Sequence, residues 1–367
     1  MKLLSIAISD LKEYISNGYV YFWGAGKAFE TNIQRFIDFV DLTCIKGIVD
    51  IKQTGSRSVG DKMIPLISPE KFLEEVSSND VLIITTKYFE QILDFLIKSA
   101  RARKLTVMIY RQLLGNQFDK ERDAIKVPAS LRATEKQLIP KKIHYCWFGK
   151  NPVPEQYKQW MKSWKKYCSD YEIVEWNESN YDVHKNKFVE QAYEAGKWAF
   201  VSDYARLDVV YNYGGVYLDT DVELIRNIDD LLYNESFCGF EQREYVAFGL
   251  GYGAVHYNAI IREIMNVYEN LSFIDSDGKM NLITCPVIQT EVLEKHGLKR
   301  NGEYQVVDGM AVFPSVVLAP LSIHTFKLAK NLSNSYMIHH FTASWNQEAT
   351  ESFERLKKLN ALAEMEW

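Results

Sequence analysis

The sequence predicts an α/β protein with two domains. Three features lead there. Between residues 19 and 110 short apolar runs alternate with amphipathic, helix-length stretches, the signature of a parallel, doubly wound sheet. Residues 116–137 are polar and charged with Pro128 inside, which breaks that pattern. A second set of strand-like and helix-like stretches then fills residues 138–346. The predicted organisation is a small parallel-sheet domain over 1–115, a partly helical linker over 116–137, a second α/β domain over 138–346 and a charged amphipathic helix over 347–367.

In the first domain Tyr19–Trp23 is a strand that runs into Gly24-Ala-Gly26, and a helix follows over residues 28–40. Residues 44–50 form the next strand. Ser68 is placed to cap a helix that opens with Pro69, because its hydroxyl can accept from a free first-turn amide. Residues 81–86 are continuously apolar and read as a buried strand, residues 89–103 as a helix and residues 106–110 as a strand. A Gly-x-Gly turn between strand and helix, with Asp50 ending the second strand, is similar to a dinucleotide fingerprint. Phe29 stands where the third glycine of that fingerprint belongs, so the match is incomplete. Gly24, Gly26 and Asp50 are the candidate N-terminal nucleotide residues, with a structural or docking use ranked ahead.

In the second domain residues 143–147 and 171–176 read as strands, 188–213 as mostly helix, and 258–269 and 287–295 as helices. Residues 239–253, rich in Gly and aromatics, read as loop and strand near a site. The most informative stretch is Phe200–Asp221. It reads as a helix, a Gly214-Gly215 break and a strand over 216–219 that delivers Asp219 and Asp221. On an extended backbone residues i and i+2 point to one side, and two carboxylates so aimed repel unless a cation sits between them. Asp203 and Arg206 share a helix face and offer a fixed acceptor and a fixed donor fork. Ser202 could serve as the cap of that helix. An isolated Asp-x-Asp is usually a surface turn; here the helix, the break and the strand come as one block.

That block resembles the sugar-binding DXD region of glycosyltransferase family 32, which includes bacterial capsular-polysaccharide transferases and yeast mannosyltransferases. More distantly it is similar to the glucosyltransferase domain of large clostridial toxins. Ile139-Pro-Lys-Lys-Ile-His-Tyr-Cys-Trp-Phe-Gly149 resembles the family's opening strand, and His339-His-Phe-Thr-Ala-Ser-Trp345 its closing segment. The resemblance implies a GT-A type transferase domain behind a Rossmann-like domain, retention of anomeric configuration, and Mn²⁺ or Mg²⁺ as cofactor. It implies a nucleotide-diphosphate sugar (UDP- or GDP-sugar) as donor, and a glycan or lipid-linked glycan of a bacterial surface polysaccharide as acceptor.

By this resemblance Asp203 and Arg206 hold the donor, and Asp221 is the direct metal ligand with Asp219 on the ribose, the metal or both. His340, or His339, joins them on the metal. Ser344 approaches the metal or the diphosphate, and Trp345 donates its indole N–H to the leaving phosphate or covers the sugar. Trp147 stacks on the base or packs the core, and His144 is structural. The chain departs from the family at Cys285-Pro286, where Gly-Pro is common, which puts acceptor assignment by analogy in doubt.

Composition narrows the alternatives. Of 367 residues 47% are hydrophobic and 25% charged, an ordinary globular balance long enough for two cores. The net charge of −5, without a basic stripe, excludes nucleic acid as an expected partner. Aromatics make up 13%, with 22 Tyr and 8 Trp, which suits stacking on sugars or bases. Five scattered cysteines without a C-x-x-C pair fit reduced thiols in the cytoplasm. The apolar start is too short for a signal peptide, being broken by Asp10 and Lys12, and no apolar run approaches the ~20 residues that span a bilayer. A cytoplasmic protein is expected, with peripheral contact at the inner membrane face left open. Two other classes compete: an NAD-dependent sugar-nucleotide oxidoreductase run by Gly24-x-Gly26, and a non-catalytic sugar-binding scaffold. A glycosidase fits poorly, since hydrolases place their two acids on opposite walls.

Overall fold

The computed structural model describes residues 1–15, 18–241, 245–342, 351, 354–358 and 361. The chain forms two compact units. The first comprises Met1–Lys120, Ile323–Phe326 and Glu351–Trp367, and the second Glu121–Ser322 and Lys327–Thr350.

The first unit is built from β1 (Lys2–Leu4), β2 (Val20–Trp23), α1 (Lys27–Ile37), β3 (Ile45–Val49), β4 (Ser56–Val59), β5 (Lys62–Ile67), α2 (Pro69–Glu75), β6 (Val81–Ile84), α3 (Phe89–Ile97), β7 (Thr106–Ile109) and the start of α4 (Tyr110–Ala124). Its sheet runs β1-β7-β6-β2-β3-β5-β4, all parallel except the β4–β5 hairpin. Strand order reverses at β2, as in doubly wound folds. Residue alternation sorts the two faces. Phe22 packs with Phe29, Phe36 and Leu113, while Trp23 packs with Phe72, Leu93 and Leu96. Ser68 does cap α2, accepting from the Lys71 amide. The expected linker is helical at its start, because α4 begins directly at Tyr110 and runs to Ala124. Most of the expected C-terminal helix lies outside the described residues; 351, 354–358 and 361 are helical.

The second unit contains β8 (Lys142–Cys146), α5 (Glu155–Tyr167), β9 (Glu172–Trp176), α6 (Lys187–Glu194), α7 (Trp198–Tyr213), β10 (Gly215–Tyr217), β11 (Val222–Leu224), β12 (Ser236–Glu241), β13 (Tyr245–Val246), β14 (Tyr252–Ala254), α8 (Ala259–Glu269), α9 (Cys285–Lys295), β15 (Gln305–Val307), β16 (Met310–Phe313), α10 (Ser315–Leu318) and β17 (Met337–His339). Its mixed sheet runs β15-β16-β12-β14-β10-β8-β9, with β13 on β12 and a separate β11–β17 ribbon. One face is covered by residues of α6–α9, among them Phe188, Tyr204, Ile264 and Val292. The other is covered by Trp164 of α5 and Val317 of α10 together with Val222 and Met337 of the ribbon.

The helix expected over 188–213 is two helices, parted at Gly196 in the left-handed region (φ 67°). α7 is buried over most of its length, the charged Asp203, Arg206 and Asp208 included. Ser202 is not its cap. It lies inside the helix and donates back to the Trp198 carbonyl. Gly214 ends α7 with φ 61°, and at Gly215 (φ 115°) a Cβ would lie 2.9 Å from the Lys142 carbonyl and 3.0 Å from His144 Nε2. Only glycine lets the chain turn so tightly from α7 into the sheet beside β8.

Candidate active site

β10 alternates. Val216 and Leu218 face the α5 side, and Tyr217 faces α7. The chain stays laddered to β8 through the Leu218 amide, which donates to the His144 carbonyl. Asp219 therefore emerges on the α7 side, where Arg206 waits. The expected strand over 216–219 ends early, at Tyr217, so it is not an extended backbone that brings the two acids together. Residues 219–222 form a turn closed by the Val222 amide on the Asp219 carbonyl at 3.0 Å. The turn carries Asp221 toward β17, antiparallel to β11 with Val222 opposite His339.

Three groups converge. Ligand atoms of Asp219, Asp221 and His339 all lie within 4.8 Å of one another. His339 Nε2 is 3.2 Å from Asp221 Oδ1. Asp221 Oδ2 accepts from the Thr342 amide at 3.0 Å and from its hydroxyl at 2.9 Å. Asp219 Oδ1 accepts from the Tyr217 hydroxyl at 2.9 Å and lies 3.4 Å from the Arg206 fork. Arg206 is 3.0 Å from Asp203 and donates from Nε to the Ser202 carbonyl. This ion pair is buried, with Asp203 8% and Arg206 5% exposed, so it is no solvated surface pair.

Charges follow from these contacts. Burial pushes the Asp219 carboxyl up, against Arg206 and with the help of the Asp221 charge. Burial would raise Asp221 too, but the His339 cation, that ring's hydrogen bond and both Thr342 donors hold it well below the usual carboxylate range. Burial opposes the His339 imidazolium, yet Asp221, with Asp219 and Glu241 behind it, holds its pKa above the ordinary value. Four acids (Asp203, Asp219, Asp221, Glu241) thus face Arg206 and His339, an excess of negative charge among these side chains. Two carboxylates and an imidazole, the ring giving up its extra proton on binding, are a fitting donor set for Mn²⁺ and, through the oxygens, for Mg²⁺. One further observation agrees: His339 Nδ1 is buried without a hydrogen-bond partner among the described residues.

Of the two histidines, His339 is the one whose ring lies against the acids. His340, the first choice by resemblance, faces away; its ring stacks on Trp160 at 4.1 Å and 10°, and its Nε2 bonds Glu223 at 2.9 Å. Adjacent residues of a strand point oppositely, so only one of the pair can reach the acids. Ser344 and Trp345 lie outside the described residues. Trp147 is half-buried, edge-on to Tyr157, and donates from Nε1 to the Asn151 carbonyl. His144 is structural: the Trp176 indole donates to its Nδ1, so Nε2 carries the proton to the Gly214 carbonyl, and burial pushes its pKa down.

In the first unit Gly24 and Asp50 meet at the ends of β2 and β3. Asp50 accepts from the amides of Ala25 (3.0 Å), Lys52 (2.8 Å) and Gln53 (3.0 Å). Its carboxylate closes its own loop, and the Ala25 amide of the Gly-x-Gly turn is thereby taken. Gly26 caps α1.

Sequence reasoning missed Tyr217, Thr342, Gly249 and Glu241. A Cβ on Gly249 would lie 2.3 Å from Asp219 Oδ2, so the backbone there abuts the carboxylate. Cys285, noted only as a departure, opens α9 with its sulfur 3.9 Å from Arg206 Nη1. Its signal was present in the sequence as that departure; Gly249 and Glu241 lie in the Gly- and aromatic-rich stretch 239–253 and Tyr217 and Thr342 inside the two motif segments, but nothing in the sequence singled those four residues out.

Residues 154–238 match the family described as the glycosyltransferase sugar-binding region containing DXD motif. That stretch holds Asp203, Arg206, Asp219 and Asp221. Two relatives come from Schizosaccharomyces pombe. Inositol phosphoceramide mannosyltransferase 3 is 30% identical over 109 residues, 28% of this chain and 29% of that protein. Inositol phosphoceramide mannosyltransferase 1 is 28% identical over 114 residues, 28% of this chain and 34% of that protein. The chain thus spans about a third of the length of these curated relatives. Among solved structures the PaToxG glycosyltransferase aligns with a TM-score of 0.36 and 18% identity, covering 48% of this chain and 74% of that one.

Proposed function

We propose that this chain is a metal-dependent, retaining glycosyltransferase whose GT-A type domain lies over residues 138–346, behind a Rossmann-like domain over 1–115. One observation carries the reading: Asp219, Asp221 and His339 converge beside the buried Asp203–Arg206 pair, inside and next to a stretch that matches a sugar-binding DXD region. Mn²⁺ or Mg²⁺, when bound, neutralises charge developing on a leaving diphosphate.

The chain's own side chains do the rest. Asp219 is held by Tyr217 and Arg206, so its second oxygen is presented in a fixed direction. Asp203, fixed by Arg206, is the acceptor for a ribose or sugar hydroxyl. Trp147, half-buried just past the end of β8, is the candidate cover for the base. Burial of Asp203, Asp221 and Arg206 keeps water from competing with these contacts.

The donor is a UDP- or GDP-sugar, and the relatives' names make a mannosyl donor the first to test. The acceptor is a glycan or lipid-linked glycan, in the setting of bacterial surface polysaccharide. The five cysteines are free, which fits a reducing cytoplasm. No helix among the described residues is long and apolar enough to cross a membrane; peripheral contact with its inner face belongs to this reading. The test is a donor panel with Mn²⁺, reading nucleoside diphosphate release. Release that disappears with chelator and in Asp221→Ala is expected. No release from any donor, or release indifferent to Asp221, contradicts the reading.

A further inference from the structure

We infer that Thr342 and Tyr157 are positioning residues that aim Asp221 at the cation. The inference rests on the metal reading above and adds to it a relay that fixes which carboxylate oxygen is offered. The Thr342 hydroxyl has one proton. An ionised Asp221 can only accept, so that proton points to Oδ2 at 2.9 Å, alongside the Thr342 amide at 3.0 Å. The Tyr157 hydroxyl, 3.0 Å from Thr342 Oγ1, must then be the donor to it. Every proton in Tyr157–Thr342–Asp221 has a single direction. Oδ2 is saturated, and Oδ1 is the oxygen left on the His339 side at 3.2 Å.

Both ends of the relay are anchored. Tyr157 is buried, stacked on Trp160 (5.5 Å, 22°) and met edge-on by Trp147 (6.0 Å, 87°). Thr342 follows Phe341, which takes a left-handed backbone (φ 50°) seldom adopted by residues with a side chain, while its buried ring meets His339 edge-on at 4.4 Å. That turn swings Thr342 back onto Asp221, and the packed ring holds it there. Removing a group that orients a metal ligand in this way typically costs about 10–100-fold in metal affinity.

The experiment titrates Mn²⁺ alone into the full chain, read by the electron paramagnetic resonance of free Mn²⁺, with thermal unfolding recorded separately without metal. Asp221→Asn is the control and loses binding. Thr342→Val, which keeps the amide and removes the hydroxyl, is expected to weaken Mn²⁺ by about 10–100-fold. Thr342→Ser restores affinity to within about threefold, and Tyr157→Phe weakens it by roughly three- to tenfold. A merely structural role would lower the unfolding temperature and leave Mn²⁺ affinity unmoved. If the wild-type chain binds Mn²⁺, Asp221→Asn does not, and Thr342→Val matches wild type, the relay is overturned while the metal reading stands. If the wild type itself binds none, the metal reading falls and the relay with it. Should Thr342→Val not fold, Tyr157→Phe decides, and an affinity within about twofold of wild type overturns the inference.

Discussion

An alanine at Gly249 puts a methyl group 2.3 Å from Asp219 Oδ2 and 2.9 Å from Arg206 Nη1. Carbon and oxygen rest no closer than about 3.2–3.4 Å, so the carboxylate must retreat by roughly 1 Å. It cannot do so freely, because Tyr217 holds it at 2.9 Å and Arg206 at 3.4 Å. Gly249 lies in the buried turn Phe248–Leu250 without a left-handed φ, so the backbone itself accepts alanine and the effect is steric. A reacting group misplaced by about 1 Å loses on the order of 10²-fold in rate, or about 2.7 kcal/mol at the transition state. Overpacking costs about 1–3 kcal/mol of stability besides. The assay is kcat/KM for Mn²⁺-dependent nucleoside diphosphate release, with a thermal melt alongside. A Gly249→Ala protein that melts lower but turns over like wild type would refute the reasoning, because Asp219 would then not need its position.

Other substitutions separate the parts of the site. His339→Ala should lose at least ~10-fold in Mn²⁺ affinity, whereas His340→Ala should keep it and lose about 1–2 kcal/mol of stability with the Trp160 stack; calorimetric titration and a denaturant melt distinguish the two. Arg206→Leu leaves the buried Asp203 and the half-buried Asp219 without their cation, and should cost about 3–5 kcal/mol in a urea melt. Arg206→Lys loses the fork that spans both acids, so kcat/KM should fall steeply even if the fold survives. Away from the site, His296 bridges Asp308 (2.6 Å) and Glu263 (2.7 Å), and hydrogen bonds to these two raise its pKa. Its contribution is therefore complete below the unfolded value of about 6.5 and fades as pH rises through the higher folded value. The melting-temperature gap between wild type and His296→Gln should narrow from pH 6 to pH 8; a gap that widens contradicts the assignment.

Alternation of strands and helices made the first unit legible, because its strands are buried on both faces and read as apolar runs such as Val81–Ile84. The β4–β5 hairpin escaped notice, since Ser56–Val59 is a polar edge strand with little to bury. Asp203 and Arg206 were legible because three residues on a helix fix a shared face whatever the tertiary context. The turn at residues 219–222 was not, because a two-residue spacing is read through an assumed strand, and the strand stopped at Tyr217. The choice between His339 and His340 required the phase of β17, a strand of three residues too short to show alternation. Thr342 and Tyr157 are 185 residues apart and meet only through the fold.

The central claim is that His339 completes a cation site with Asp219 and Asp221. Anomalous diffraction from crystals holding Mn²⁺ and a nucleoside diphosphate tests it most directly. A manganese peak bonded to the acid pair and to His339, with His340 still stacked on Trp160, is the predicted result. A peak seated instead on Glu223 and His340, or saturating manganese with no peak at the two aspartates, would contradict it.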